Sequence, residues 1–125
     1  MANNPVGWFE IYVQDMARAK AFYESVFSVQ LVPLESPGME MEMWAFPMNE
    51  NGTGASGALV RMEGCTSGGS SILIYFMCAD CAVEASRAAA NGGSIFKEKF
   101  AIGQYGFIAL VMDTEGNMIG LHSMQ

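Results

Sequence analysis

The sequence predicts an α+β fold: two βαβββ modules forming a curved mixed sheet around a cleft, with the helices outside. Three observations predict it. The chain has 125 residues, a length that suits a single domain over residues 1–125. Apolar residues make up 51% of it and charged residues 15%, a balance that favours a packed core over disorder. The pattern also runs twice. A first module at about 7–63 and a second at about 71–123 align at an offset of 65 residues, so that Trp8 meets Leu73, Asp15 meets Asp80 and Met16 meets Cys81. Two copies are too few for a solenoid and imply a pseudo-twofold pair.

Each element has its own signal. Trp8 to Val13 is aromatic and β-branched and reads as a strand. Asp15 suits an N-cap, and Met16, Ala19, Phe22, Tyr23, Val26 and Phe27 follow at helical spacing, predicting a helix over 16–27. A short strand at 29–34 should stop near Pro33 and Pro37, because proline removes a ladder donor. Met39 to Phe46 alternates as a strand, Asn49 to Gly54 is a turn region, 56–62 is a strand, and Gly64 to Ser70 is the candidate linker. The second module repeats the order. Ile72 to Cys78 reads as a strand and Asp80 as an N-cap. Val83, Arg87 and Ala88 with several alanines form a helix, which ends at Asn91-Gly92-Gly93 in the left-handed style. Strands follow near 94–99, 106–112 and 117–122, the last two joined by a tight turn at Thr114-Glu115-Gly116-Asn117.

Composition narrows the function classes. Six Lys and Arg against 13 Asp and Glu give a net charge of −7, and the cations are scattered. That argues against nucleic acid, which needs a basic face. No apolar run reaches the roughly 18 residues of a membrane span, so no membrane partner is expected. The start, Met-Ala-Asn-Asn-Pro, lacks a basic region followed by an apolar stretch, so a cytoplasmic location is expected. Three cysteines, an odd count, argue against a disulfide scaffold.

The run from Trp8 to Tyr23, the helix end Asn91-Gly92-Gly93 and the closing segment from Asp113 to His122 together resemble the vicinal oxygen chelate superfamily. That family includes glyoxalase I, bleomycin-resistance proteins and extradiol dioxygenases, and the nearest branch is the small glyoxalase-like proteins. Thr114 stands where the family's closing turn usually has proline. The resemblance implies the duplicated fold, and it implies a homodimer, since family members commonly pair. Its metal enzymes hold a divalent ion on four inward strand positions with His, Glu or Gln. Those positions fall here on Trp8, on Leu73, near Gly57 or Ala58, and on Gly120. None of these side chains ligates, whereas a divalent ion needs converging donors. Glu10 and His122 lie two residues beyond two of these positions. No metal and no other cofactor is therefore expected.

Alternation along each strand assigns faces. Phe9, Ile11 and Val13 should pack under the first helix, leaving Trp8, Glu10 and Tyr12 toward the cleft. By the repeat, Ile72, Ile74 and Phe76 go under the second helix and Leu73, Tyr75 and Met77 toward the cleft. Ile119 and Leu121 go under that helix, with Gly120 and His122 opposite. In the third strand the methionines Met39, Met41 and Met43 are assigned to the helix side, and Glu40, Glu42 and Trp44 to the cleft or solvent. Gly120 should leave room where the metal enzymes carry a carboxylate. The expected cavity is lined by Trp8, Glu10, Tyr12, Trp44, Tyr75 and His122. It is aromatic with a few acids, suited to a flat or cationic organic molecule.

Two readings are open for several residues. Glu10 is a ligand-orienting carboxylate or general base, or a structural carboxylate bonded to tyrosine or histidine. His122 is its acid–base partner, or a residue at a surface or dimer edge. Cys78-Ala79-Asp80-Cys81 has the C-x-x-C form of thiol redox motifs, but Cys78 falls in the helix-packing frame of its strand, as a small buried residue does. The Met-x-Met-x-Met run suits Cu(I) or adaptable packing. Gly103 to Gly106 lacks the phosphate-loop pattern and reads as a flexible lid. The expected function is binding of a small aromatic or cationic molecule without a metal. The alternative is a metal-dependent lyase or isomerase resembling lactoylglutathione lyase, with Glu10 as base.

Overall fold

The computed structural model describes residues 4–35, 40–69 and 71–125. Pro37 and Met39 lie outside them. The fold is α+β, as the repeat predicts. The elements are β1 (Val6–Tyr12), α1 (Met16–Phe27), β2 (Val32–Leu34), β3 (Glu42–Ala45), β4 (Ser56–Arg61), β5 (Ile72–Met77), α2 (Cys81–Ala90), β6 (Ser94–Ala101), a 3-10 turn (Gly103–Tyr105), β7 (Phe107–Met112) and β8 (Met118–Ser123). They form two compact units, Trp8–Ile72 and Leu73–Gln125, the latter together with Met1–Gly7. The described residues ahead of Trp8 thus go with the second unit, where the Met77 N–H donates to the Pro5 carbonyl at 2.8 Å.

In the unit of residues 8–72 the strand order is β2-β3-β4-β1. β1 and β4 are parallel, with Glu10 opposite Ala58 and Tyr12 opposite Val60; the other pairs are antiparallel. α1 begins at Asp15, whose side chain accepts from the Arg18 N–H, and ends at Ser28 in the left-handed region. Met16, Ala19 and Tyr23 pack with Val13, Leu31 and the fully buried Leu59. Phe22, Val26 and Phe27 stay more than half exposed, so the buried stripe of α1 is narrower than its apolar spacing. Pro33 sits inside β2 rather than ending it. It can, because β2 is an edge strand paired only with β3 and needs no second row of donors.

The helix-free face of this sheet carries Met43, Ala45, Ala58 and Val60, with Trp8, Tyr12, Leu34, Met41 and Met62 against them. This corrects the third strand. Trp44 packs with the α1 cluster, and the Lys20 ammonium lies 3.3 Å from its ring centroid, while Met41 and Met43 take the other face. Register decides it: Trp44 pairs with Leu59, and Met43 with Val60. Polarity misleads here because methionine fits either face, whereas a tryptophan's ring is the larger apolar surface to cover.

In the second unit the order is β5-β8-β7-β6, with β5 and β8 parallel. α2 covers a cluster of Cys81, Ala85, Ala109, Val111 and Leu121, joined by Phe76, Cys78, Ala88 and Ile119. Val83 is exposed, so the helix buries its Cys81–Ala85–Ala88 stripe instead. Of the three β5 residues expected under α2, only Phe76 joins this cluster. Ile72 and Ile74 are 62% and 36% exposed. Gly92, at φ 95°, closes the helix with the Gly93 N–H donating to Ala88 O at 2.9 Å. The Asp113 carboxylate accepts from the Glu115 and Asn117 N–H groups, both at 2.8 Å, and builds the turn before β8.

Asp80 caps α2 by accepting from the Ala82 N–H at 3.1 Å and meets Lys99 Nζ at 2.8 Å. The Lys99 hydrogen bond first, and then the Ala82 N–H, hold its carboxyl below the usual carboxylate range. Asp113 is held low in the same direction, by the Asn117 N–H first and then that residue's side chain. A depressed folded pKa adds stability that is full above the unfolded value, near 4, and is lost as pH falls below it. The unfolding temperature is therefore expected to drop between pH 5 and pH 3, and the drop to shrink in Asp80→Asn. Circular dichroism melts across that range check this.

Candidate functional site

Glu10 is the one buried acid in the unit of residues 8–72 among the described residues, at 5% exposure. β1 places it between Trp8 and Tyr12 on the helix-free face. Trp8 Nε1 donates to its Oε2 at 3.2 Å and the Tyr12 hydroxyl donates to its Oε1 at 2.8 Å. Burial first, and then the charge of Glu10 and the hydrogen bond to it, push the Tyr12 phenol well above its ordinary value, so Tyr12 stays a donor across the physiological range. The face is walled by Met41, Met43 and Met62.

Trp44 is on the opposite face of the same sheet, its Nε1 donating to Glu42 Oε2 at 3.0 Å. Tyr75 and His122 belong to the second unit and share the face of Gly120. Tyr75 is 6% exposed. A Cβ built on Gly120 would overlap its ring, so the room expected at Gly120 is filled by Tyr75. A Cβ at Gly57 would likewise overlap Phe9, and Ala58, opposite Glu10, is the residue on the Glu10 face. His122 Nε2 lies 2.6 Å from the Tyr105 carbonyl. A carbonyl only accepts, so Nε2 is the donor of this bond. This bond and that from the Ile102 N–H to Gly106 O, 2.8 Å, tie down the 3-10 turn where a lid was expected. Sequence reading missed the turn, although Gly103 and Gly106, at φ 69° and 97°, are its signal.

The sequence matches the Glyoxalase/Bleomycin resistance protein/Dioxygenase superfamily over residues 6–121. The chain belongs to this superfamily. Solved structures agree on the fold. A Streptomyces coelicolor methylmalonyl-CoA epimerase variant in complex with 2-nitronate-propionyl-CoA is 13% identical, with 98% of this chain and 95% of that one covered at a TM-score of 0.69. The Mycobacterium tuberculosis methylmalonyl-CoA epimerase is 15% identical, with 97% and 88% covered at 0.72. An uncharacterised protein from Methanosarcina mazei is 15% identical, with 98% and 95% covered at 0.63. No curated protein matches the chain.

A divalent metal of the superfamily's enzymes does not fit these residues. Trp8, Ala58, Leu73 and Gly120 offer no side-chain donor, and Tyr75 occupies the space a longer side chain at 120 would need. Among the described residues no group of three or more His, Cys, Asp or Glu converges. The C-x-x-C cysteines are not poised for redox chemistry either. Burial first, and then the charge of Glu84, push the Cys78 thiol up to about 11, disfavouring the thiolate that such chemistry needs. Cys81 is fully buried in the α2 cluster. No helix among the described residues is long and apolar enough to cross a membrane.

Proposed function

We propose that this member of the superfamily binds a small aromatic or cationic organic molecule, without a metal, on the Trp8–Glu10–Tyr12 face. One observation carries the reading: a buried carboxylate oriented by two aromatic side chains on a helix-free sheet face. An indole and a phenol offer stacking surface, and the carboxylate attracts a cation. The donor-poor set Trp8, Ala58, Leu73 and Gly120 supports the metal-independent half. Glu10→Gln should keep the fold and weaken an aromatic amine by on the order of 1.5–3 kcal/mol, as for a lost charge-assisted contact. Calorimetry with benzylamine measures it, and equal affinity for both proteins sinks the reading. Elemental analysis after purification without chelator tests the other half; one equivalent of Zn, Ni, Fe or Mn would restore the lyase or isomerase alternative.

The protein works as a cytoplasmic homodimer. The three free thiols fit a reducing compartment, and Phe22, Val26 and Phe27 of α1 expose apolar surface that closed twofold pairing would cover. Sedimentation showing only a 13.5 kDa species at micromolar concentration would refute the dimer.

A further inference from the structure

The loop that follows β4 borders a hollow of about 310 Å³ in the unit of residues 8–72, whose wall includes Gln14, Arg61, Met62, Glu63 and Cys65. The hollow is separate from the Trp8–Glu10–Tyr12 face. None of those three residues lines it, and Arg61, opposite Glu42, alternates onto the Trp44 side of the sheet. Its backbone is tied in place. Gly64 takes φ 87°, and the Cys65 N–H donates to the Met62 carbonyl at 3.1 Å. The Gln14 carboxamide, just beyond β1, donates to the Cys65 carbonyl at 3.0 Å. Arg61 Nε donates to the Gln14 carbonyl at 3.2 Å, which leaves the terminal guanidinium nitrogens as donors. Arg61 and Glu63 are the charged residues of the wall. Among the described residues the ion pair that forms is Lys99–Asp80, so Arg61 and Glu63 do not close on each other.

A guanidinium fork matches the plane and spacing of a carboxylate, and a carboxylate accepts from an ammonium. Opposite charges that line one space without pairing leave room for a group that carries both. The wall has no net charge, so a phosphate would meet the like charge of Glu63 and a polyamine that of Arg61. Met62 adds an apolar side to the same wall. The volume lies at the small end of ligand pockets, which run from roughly 300 to 1,000 Å³. We propose that the hollow is a second ligand site, for a small α-amino acid with an apolar side chain. Its carboxylate meets Arg61, its ammonium meets Glu63 and its side chain lies against Met62. Nothing in this site depends on Glu10.

Titrations of the full chain at low salt, followed by the amide NMR signals of Gly64 and Thr66, test it with leucine, isoamylamine and 4-methylpentanoate. The three share a side chain and differ in their charged groups. Leucine should bind about fivefold more tightly than either of the others, the upper range for one exposed ion pair. Arg61→Gln should weaken leucine and 4-methylpentanoate by about that factor and leave isoamylamine no weaker. Glu63→Gln should weaken leucine and isoamylamine and leave 4-methylpentanoate no weaker. A merely structural role would not produce this crossed pattern. Both residues are exposed, so neither substitution threatens the core. Glu10→Gln should leave leucine binding unchanged. Amides that do not move at millimolar leucine, or a substitution that weakens all three ligands alike, would overturn the site, as would leucine binding lost in Glu10→Gln. If benzylamine fails to bind the Glu10 face while leucine shows the crossed pattern, this site stands and the reading of that face falls.

Discussion

Gly120→Ala should destabilise the protein by about 1–3 kcal/mol, the range for forcing extra volume into a packed site. The added methyl would overlap the ring of Tyr75, which is 6% exposed and lies across the β5–β8 pair from Gly120. The ring cannot swing away cheaply from such a site, so β5 and β8 must shift. Gly120→Ala combined with Tyr75→Ala should recover much of the clash. The double-mutant cycle should then show a coupling of about 1 kcal/mol or more. Urea denaturation of the four proteins measures it, and strict additivity would mean that the ring does not occupy this space. The pair also bears on chemistry, because a carboxylate at position 120 requires first removing Tyr75.

The fold was legible because local signals agreed with the repeat. α1 runs Met16–Phe27 from its Asp15 cap, and Asp80 caps α2, each where the spacing places it. The strand faces of β1 and β8 followed from alternation, since one side of each is covered by a helix. β3 was not legible in this way. Both of its faces carry apolar side chains, Trp44 in the cluster of α1 and Met43 in the cluster of Trp8 and Tyr12. Polarity then cannot say which side of a Met/Glu/Trp alternation faces a helix. Trp44 was misplaced for that reason, and only the register with β4 settles it. The empty space read at Gly120 failed differently. A missing side chain in the sequence says nothing of a neighbour's ring, and Tyr75 comes from a strand 45 residues away along the chain. Trp8, Glu10 and Tyr12 were legible because they alternate on one strand, and period two alone puts them on one face.

Tyr12→Phe tests whether that trio is a built site or a passive contact. The substitution keeps the ring, which packs with Met43, Ala58 and Val60, and removes the hydroxyl that donates to Glu10 Oε1 at 2.8 Å. A buried acceptor deprived of its donor bears the desolvation cost, and hydrogen bonds to charged groups are worth about 1.5–3 kcal/mol. Stability at pH 7 should fall by roughly that amount. The alkaline limb should change as well. The Tyr12 phenol is raised above its ordinary value of 10 by burial and by Glu10. A raised folded pKa gives stability that is full below the unfolded value and lost as pH climbs toward the folded one. The wild-type chain should therefore lose stability progressively above pH 10, and Tyr12→Phe should lose correspondingly less there. Denaturation midpoints at pH 7, 9 and 10.5 read both effects at once. A variant as stable as wild type at pH 7 with an unchanged alkaline limb would show that the Tyr12–Glu10 bond organises nothing. Loss at pH 7 with a flattened alkaline limb would show Glu10 held in place by Tyr12.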